Sequence, residues 1–414
     1  MPETINESSV QNGHLCNTSF TEKWLIEKLL HKCEEFQKVA KNSRIKKVKA
    51  ECISEGIGFI SKVLKCTITF EEVDQKPYIV ILKVPTCEAM NEAIEKSEIS
   101  KDVEQEKKTS TTVVHKNLEN IHKRECDFYE KFQDVLDLPL VKIFDTQELV
   151  LGNQPGYILM EYIEEDGGML DFVDGLNIEQ IKNVTRHIAN FHAHAMLHED
   201  RWRGKYPPID LTEGVKEENS NRLLGGISRL FEGIKERLPK VKKIFTSKFF
   251  EWYSNHCETM GLYKGLCHGD LWNNNMMFYK NPDGTPDNKV RAIIDWQVIN
   301  EGNLMQDLAR LLVSSSDSST RREAEGFILE EYYQIVKENL GKGGKKIPFT
   351  LEELKRGYEA AFLFQSVIGV WMVVFAFPQP TEERKVKQAQ YARRVEDLLD
   401  DLVKILEKSF PEWL

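Results

Sequence analysis

Two short segments contain side chains that could transfer a phosphoryl group. Asp270 and, five positions later, Asn275 lie in residues 267–275, and Asp295 lies in residues 293–297. One carboxylate can orient an attacking hydroxyl and accept its proton, while an amide oxygen and a second carboxylate can hold Mg²⁺ against nucleotide phosphates. The offset from Asp270 to Asn275 is that of a kinase catalytic loop. The spacing therefore predicts Asp270 as the catalytic base and Asn275 and Asp295 as the metal ligands. The alternative is a tight turn and a helix cap.

The elements between these segments are predicted to bring them together. Residues 276–279 are predicted to leave the loop as a strand, residues 281–288 are dense in turn-forming types, and residues 290–294 are predicted to return. Such a hairpin would place Asn275 near Asp295, as a shared Mg²⁺ requires.

Four neighbours of these residues are predicted to have supporting roles or none. The offset from Asp270 favours Asn275 over Asn273 or Asn274 as the ligand. His268 is predicted to brace the loop through hydrogen bonds rather than carry protons. Gly269 fits a backbone position with unusual dihedral angles or tight packing.

The segment before this loop could bind a nucleotide. Gly56 and Gly58 lie between two strand-like runs, where a backbone without side chains can approach phosphate. By itself this pair also fits an ordinary β-turn. Lys83 lies within the apolar strand-like run 78–85, and its order and spacing favour contact with the α- and β-phosphates over a position on a sheet edge.

A lysine in that role needs a carboxylate partner on a following helix. Glu125 is predicted to be that partner, because it lies on an apolar stripe of the helical run 113–132, with Glu119 and Glu130 as alternatives. Residues 156–163 then read as a strand, and backbone groups from Glu161 to Ile163 could bond adenine.

Several of these segments resemble the choline-kinase-like (CHK) and ecdysteroid-kinase-like families of the wider aminoglycoside-phosphotransferase-like group. The resemblance is carried by residues 268–278, residues 293–297, the strand around Lys83, residues 188–194, and Gly302 with residues 307–309. Matching positions span roughly residues 45–315, and the combination is most similar to a nematode-type branch.

The resemblance implies an α+β, bilobal protein-kinase-like fold with a small β-rich N-lobe and a larger, mostly helical C-lobe. It also implies ATP and Mg²⁺ as cofactors, and phosphorylation of a hydroxyl of a small, steroid-like or xenobiotic molecule. Choline and ethanolamine kinases are only the second expectation. They normally carry an acidic residue two positions after the metal-binding Asp, and this chain has Gln297 at that position. A kinase-fold protein that binds without catalysis is the third. A protein substrate is not expected, because no Phe-Gly and no long activation segment follow Asp295.

The chain is predicted to divide into three parts. These are a disordered tail over residues 1–20, an N-lobe over residues 21–162 with a polar insertion near residues 88–112, and a C-lobe over residues 163–414. A chain of 414 residues is too long for one compact core, which supports two lobes. The first helix is predicted to begin near Thr21.

Composition narrows the class of protein. The chain is 41% hydrophobic and 29% charged, as soluble globular proteins are. Its 56 basic and 66 acidic residues give a net charge of −10, and without a basic cluster no nucleic-acid partner is expected. Eight scattered cysteines and the absence of a signal peptide predict a cytoplasmic protein with reduced thiols. The sequence carries no indication of oligomeric state.

One apolar run, residues 360–377, is long enough to consider a membrane span. A buried C-lobe helix is favoured, because polar residues interrupt the run. Four large apolar residues there could also line an acceptor pocket: Phe362, Phe364, Trp371 and Met372. His192 and His194, two positions apart on a predicted helix, point in different directions, which favours packing or support of the catalytic loop over a shared metal.

Overall fold

The computed structural model describes residues 13–54, 60–86, 104–133, 138–208, 217–375, 377 and 381–414. Gly56, Gly58 and the first part of the predicted insertion, up to residue 103, lie outside these residues. The chain divides into two compact units. The first comprises residues 1–94, 114–130 and 141–165, and the second comprises residues 95–113, 131–140 and 166–414.

The first unit is built on a five-stranded antiparallel sheet with the strand order β1-β2-β3-β5-β4. Its elements are α1 (Glu22–Lys32), α2 (Glu34–Ala40), β1 (Ile45–Cys52), β2 (Ser61–Phe70), β3 (Tyr78–Pro85), α3 (Glu104–Phe132), β4 (Ile143–Gln147) and β5 (Tyr157–Glu161). The apolar run of residues 78–85 forms β3, the central strand. Its middle residues, 80–83, are buried, as expected for an apolar strand with neighbours on both sides.

Helix α1 begins directly after Thr21, whose side chain accepts a hydrogen bond from the Trp24 backbone amide at 3.2 Å. The preceding residues are part of the folded unit. Leu15 and Phe20 are 2% and 4% exposed and belong to the same apolar core as β2 and β3. The predicted disordered tail is therefore too long at its C-terminal end, because these two side chains bury apolar surface in that core.

The second unit contains most of the helices and two small antiparallel sheets, β6-β8-β9 and β10-β7. Its strands are β6 (Gly167–Gly168), β7 (Lys264–Cys267), β8 (Met276–Lys280), β9 (Pro286–Ile293) and β10 (Asn300–Asn303). Its helices are α4 (Ile178–Leu197), α5 (Glu217–Leu230), α6 (Glu232–Arg237), α7 (Ser247–Met260), α8 (Met305–Ser315), α9 (Ser318–Glu325), α10 (Ile328–Lys342), α11 (Leu351–Phe375) and α12 (Glu382–Ser409).

The predicted α+β class is confirmed, with a β-rich first unit followed by a larger, mostly helical second unit. Residues 360–375 of the long apolar run form the C-terminal part of α11, where Phe362, Leu363, Val367 and Val370 are fully buried. None of the helices in the described part of the chain combines the length and apolarity needed to cross a membrane.

Candidate active site

The predicted hairpin forms between the two chemical segments. Strands β8 and β9 pair antiparallel with Met276 opposite Ile293. Beyond this pair, the backbone amide of Ile294 donates to the carbonyl of Asn275 at 2.9 Å. Asp295 therefore directly follows a residue that is hydrogen-bonded to Asn275, at the end of the predicted catalytic loop. The long-range register, and not the loop alone, positions the two candidate metal ligands.

The Asp270 carboxylate contacts two side chains. Arg310 donates from Nε to Oδ1 at 2.9 Å, and Asn275 donates from Nδ2 to Oδ2 at 3.2 Å. Asn275 Nδ2 also donates to the Asp270 backbone carbonyl at 2.8 Å. Because both bonds use the amide nitrogen, Asn275 Oδ1 is the atom that could ligate a cation. Asn273 is buried instead, with its backbone amide donating to Ser315.

Asp295 adopts a left-handed backbone conformation, with φ 66° and ψ 59°. A residue with a Cβ rarely adopts these angles, and such strain clusters at functional sites. Gln297 donates from Nε2 to Asp295 Oδ2 at 3.1 Å. With Asn275 Oδ1, the Asp295 carboxylate offers the hard oxygen donors that suit Mg²⁺, so the residues present fit this ion.

His268 connects the predicted catalytic loop to the segment between the end of β9 and Asp295. Its Nε2 lies 3.0 Å from the carbonyl of Ile294, and the Asp270 backbone amide donates to its Nδ1 at 3.2 Å. A carbonyl only accepts and an amide N–H only donates, so these contacts fit the tautomer with its proton on Nε2. Both ring nitrogens thus contact backbone atoms, which is the arrangement expected of a residue that holds the loop in place.

A buried carboxylate holds the start of the loop. Asp307 is fully buried and accepts from the backbone amides of His268 and Gly269, both at 2.8 Å. His192 lies with Nε2 3.2 Å from the same carboxylate, and its Nδ1 is 2.7 Å from the Tyr332 hydroxyl. His192 thus supports the start of the predicted catalytic loop through Asp307.

Gly269 has no room for a side chain. Its φ is 88°, and a Cβ at this position would lie 2.5 Å from the Val298 carbonyl and 2.7 Å from Asn300 Nδ2. The loop can therefore pass this close to the segment after Asp295 only with glycine here.

His192, Cys267 and Asp307 lie close enough to be considered as a metal site, since one ligand atom of each falls within 4.8 Å of the others. The donor atoms have other partners. Both Asp307 oxygens accept backbone amides, and His192 Nδ1 contacts Tyr332. Burial holds the pKa of the Cys267 thiol well above its usual value, which disfavours the thiolate that binds metals. A hydrogen-bonded core network explains this group without an ion.

The sequence did not identify Arg310 as a site residue. Its side chain is 7% exposed, and its guanidinium lies 5.2 Å from the centre of the Trp272 ring. Arg310 follows Asp307 by three positions on α8, so both point to the same side of the helix. The signal available in the sequence was this pair of charged residues, three positions apart in the otherwise uncharged and mostly apolar segment 305–313.

In the first unit the structure brings Lys83 and Glu125 together. Lys83 Nζ lies 2.8 Å and 2.7 Å from the two carboxylate oxygens, and the side chains are only 10% and 2% exposed. The alternative carboxylates have other partners: Glu119 accepts from the Leu151 amide, and Glu130 from the Thr146 hydroxyl. Lys83 is also on a central strand and not on an edge.

The predicted adenine-binding residues lie at the end of β5. The backbone amide of Glu161 donates to the Lys142 carbonyl at 2.9 Å, and the Lys142 amide donates to the Glu161 carboxylate at 2.9 Å. Ile163 is 5% exposed. These two hydrogen bonds attach Glu161 to the segment that leads into β4.

A cavity of about 250 Å³ within the second unit reaches Asp270 and Arg310. Sites for small molecules usually measure roughly 300–1,000 Å³, so this cavity suits a small ligand. Phe364 lines it, together with Phe250 and Tyr253. The lining does not include the other three residues predicted for an acceptor pocket: Phe362, Trp371 and Met372. Trp371 stacks on Phe250.

Because of the buried His256, which also lines the cavity, we expect the folded chain to lose stability in acid. Burial lowers the pKa of His256 from 6.5 to about 4, and burial lowers that of His122 in the first unit similarly. Between pH 6.5 and 4 the unfolded chain therefore binds protons that the folded chain does not. The free energy of unfolding should fall across this window by a few kcal/mol in total, on the order of 1.4 kcal/mol per pKa unit before solvent screening.

Urea denaturation at a series of pH values would measure this effect. His256→Gln should flatten part of the decline, while the same change at the exposed His14 should leave it intact. An equal decline in both variants would contradict the assignment to His256.

Comparison with known proteins gives one family and two relatives. The family model described as "DUF1679: Uncharacterized oxidoreductase dhs-27" matches residues 32–410. The Caenorhabditis elegans protein named "Uncharacterized oxidoreductase dhs-27" is 28% identical over 350 residues, which cover 83% of this chain and 40% of that protein. The chain thus spans about 40% of the length of this relative. The C. elegans "Uncharacterized kinase-like protein D1044.1" is 22% identical over 340 residues, 78% of this chain and 84% of that protein.

Among solved structures, choline kinase from Cryptosporidium parvum aligns with a TM-score of 0.47 at 11% identity, over 94% of this chain and 99% of that one.

Proposed function

The chain belongs to the DUF1679 family, and we propose that it is an ATP-dependent phosphotransferase acting on a hydroxyl of a small, lipophilic, steroid-like or xenobiotic molecule. Asp270 would orient the hydroxyl and accept its proton. Asn275 and Asp295 would hold Mg²⁺, and Lys83, oriented by Glu125, would contact the nucleotide phosphates. The kinase-like order of a β-rich unit followed by a helical unit supports this proposal.

The observation that carries the proposal is the position of Asp270. Its two carboxylate oxygens are directed by Arg310 and Asn275, and the same residue lines the cavity of the second unit. A carboxylate so fixed at the wall of a cavity can align a hydroxyl of a molecule bound there. Mg²⁺ would neutralise charge on the transferring phosphoryl group when bound.

Arg310 contributes by positioning. It binds Asp270 Oδ1 and also donates to the Ser314 hydroxyl at 3.0 Å, one turn along α8. With the guanidinium over Trp272, these contacts limit rotation of the carboxylate. Asp270 Oδ1 is thus held against Arg310.

The charges that line the cavity favour a neutral acceptor over choline. Two carboxylates, Asp270 and Glu301, are matched by two cations, Lys264 and Arg310. A quaternary ammonium is recognised by aromatic faces together with excess negative charge. The cavity provides aromatic rings without that excess, so an apolar, uncharged alcohol is the better fit.

The family description names an oxidoreductase, but redox chemistry that depends on a bound dinucleotide has less support in this chain. The sequence contains no G-x-G-x-x-G motif, and every strand pairing in the described residues is antiparallel. Dinucleotide-binding domains of the doubly wound class need both the glycine motif and a parallel sheet. The relative that carries the oxidoreductase name is much longer than the part matched here.

The decisive experiment is transfer of labelled γ-phosphate from Mg-ATP into a pooled library of sterols, sugars, choline-type amines and hydroxylated xenobiotics. We expect label in neutral ring alcohols. Lys83→Met should reduce transfer by about 10²–10³-fold, the usual effect of removing one preorganised electrostatic contact. Lys49→Met, at an exposed lysine of the same sheet, should leave transfer unchanged.

The remaining outcomes separate the alternatives. Label in choline or ethanolamine alone would replace the proposed acceptor class. Measurable ATP binding without transfer to any compound would favour a kinase-fold binding protein. Because Lys83→Met leaves Glu125 buried without its cation, a thermal melt should accompany the assay to show that the variant is folded.

A further inference from the structure

Gln365 is a buried polar residue on the apolar helix α11, and it lines the cavity that reaches Asp270. It is 2% exposed, and its buried amide oxygen has no hydrogen-bond partner among the described residues. A buried amide without a partner costs free energy that an apolar side chain of the same size would avoid. Gln365 therefore destabilises the folded chain unless something in the cavity bonds to it.

A second polar group on the cavity lining has the same property. The Tyr253 hydroxyl is buried and has no hydrogen-bond partner among the described residues. Burial holds the pKa of this hydroxyl well above its usual value, so it is a neutral donor and acceptor. With Gln365, it provides hydrogen-bonding capacity without charge.

Aromatic rings also line this cavity. The rings of Tyr253 and Phe364 stack with centroids 4.3 Å apart and planes 2° from parallel, and Phe250 meets Phe364 nearly edge-on. Stacked rings offer an extended apolar surface against which a flat ring system can pack. Ile368 adds aliphatic surface to the same lining.

We propose that Gln365 and Tyr253 form a subsite that recognises a second, uncharged polar group on the acceptor. The molecule would be a flat ring alcohol whose reacting hydroxyl meets Asp270 and whose carbonyl or second hydroxyl bonds to Gln365. This inference rests on the proposed function, since it identifies the cavity as the acceptor site. It adds that a plain lipophilic mono-alcohol is a poorer ligand than its hydroxy-ketone or diol counterpart.

The test uses two matched pairs of probes and no nucleotide. Androsterone adds one ketone to the far end of androstanol, and tyrosol adds one hydroxyl to the far end of phenylethanol. Calorimetric titration of the full chain should show tighter binding of the more polar member in at least one pair. The preference should be about tenfold, because a neutral hydrogen bond contributes roughly 0.5–1.5 kcal/mol and 1.4 kcal/mol is tenfold in affinity.

Gln365→Met keeps the length of the side chain and removes the amide. It should abolish the preference within the pair, with the ratio of the two dissociation constants approaching one. Gln180→Met is the matched control, because Gln180 is 3% exposed and lies on α4, apart from the cavity lining. That variant should retain the preference.

Thermal melts distinguish a ligand-binding role from a structural one. The Gln180 amide accepts from the Asn177 backbone at 3.0 Å and donates to the Asp287 carbonyl at 3.1 Å, so Gln180→Met should lower Tm. Gln365→Met should leave Tm unchanged or raise it, since no bond to a described residue is lost.

A lower Tm for Gln365→Met than for wild type would overturn the assignment. So would a preference that survives Gln365→Met, equal binding of both members in both pairs, or no binding of any probe. Because no nucleotide is used, these outcomes are separate from phosphoryl transfer. A protein with the preference but no transfer to ring alcohols would retain the subsite and lose the proposed function.

Discussion

Asp270→Asn should reduce phosphoryl transfer by about 10²–10⁴-fold, the range expected for loss of a general base that also orients the nucleophile. The asparagine keeps an oxygen that can accept from Arg310, so the loop geometry should persist. The side chain of Asp270 is 30% exposed but that of Arg310 only 7%, so removing the charge of Asp270 should lower Tm without unfolding the chain. Steady-state transfer from labelled Mg-ATP and a thermal melt measure the two parts of this expectation.

A suitable control is Asp283→Asn in the turn between β8 and β9. Asp283 is exposed and bonds only within that turn, to Thr285. The same chemical change there should leave transfer at the wild-type rate. Near-wild-type transfer by Asp270→Asn on a true acceptor would rule out the mechanism proposed for this residue.

Asp307→Ala should lower the free energy of unfolding by about 3–5 kcal/mol, because it leaves several buried polar groups without a hydrogen-bond partner. Asp307 is fully buried and accepts from two backbone amides and from His192. Without it, the amides of His268 and Gly269 have no acceptor, and the loop that carries Asp270 loses its anchor. Urea denaturation gives the stability, and transfer by the folded fraction should also fall.

Two further variants test the cause of that loss. Asp307→Asn retains one accepting oxygen but turns an NH₂ group toward one of the donors, so its effect should be intermediate. Asp317→Ala removes an exposed N-cap of α9 and should cost only about 1 kcal/mol. Equal losses at Asp307 and Asp317 would show that the buried network does not stabilise the chain as the contacts suggest.

The sequence by itself determined the parts of this protein that depend on local spacing. The strand-like runs 276–279 and 290–294, with the turn-forming residues 281–288 between them, predicted the hairpin, and the pairing of Met276 with Ile293 shows that it forms. The apolar run around Lys83 predicted a strand, because a lysine surrounded by β-branched residues fits a buried sheet. The hydrophobic periodicity of a strand and the residue types of a turn extend over only a few positions, so both can be recognised in a single sequence.

The tertiary structure decided which distant residues meet. The spacing left Glu119, Glu125 and Glu130 as partners for Lys83, and only the packing of α3 selects Glu125. Arg310 contacts Asp270 from 40 positions away, and Asp307 bonds the loop from 38 and 39 away. No local pattern encodes such contacts, because they follow from how elements that are distant in the chain pack together. The same reason explains why Phe364 lines the cavity while Phe362 and Trp371, on the same helix, do not.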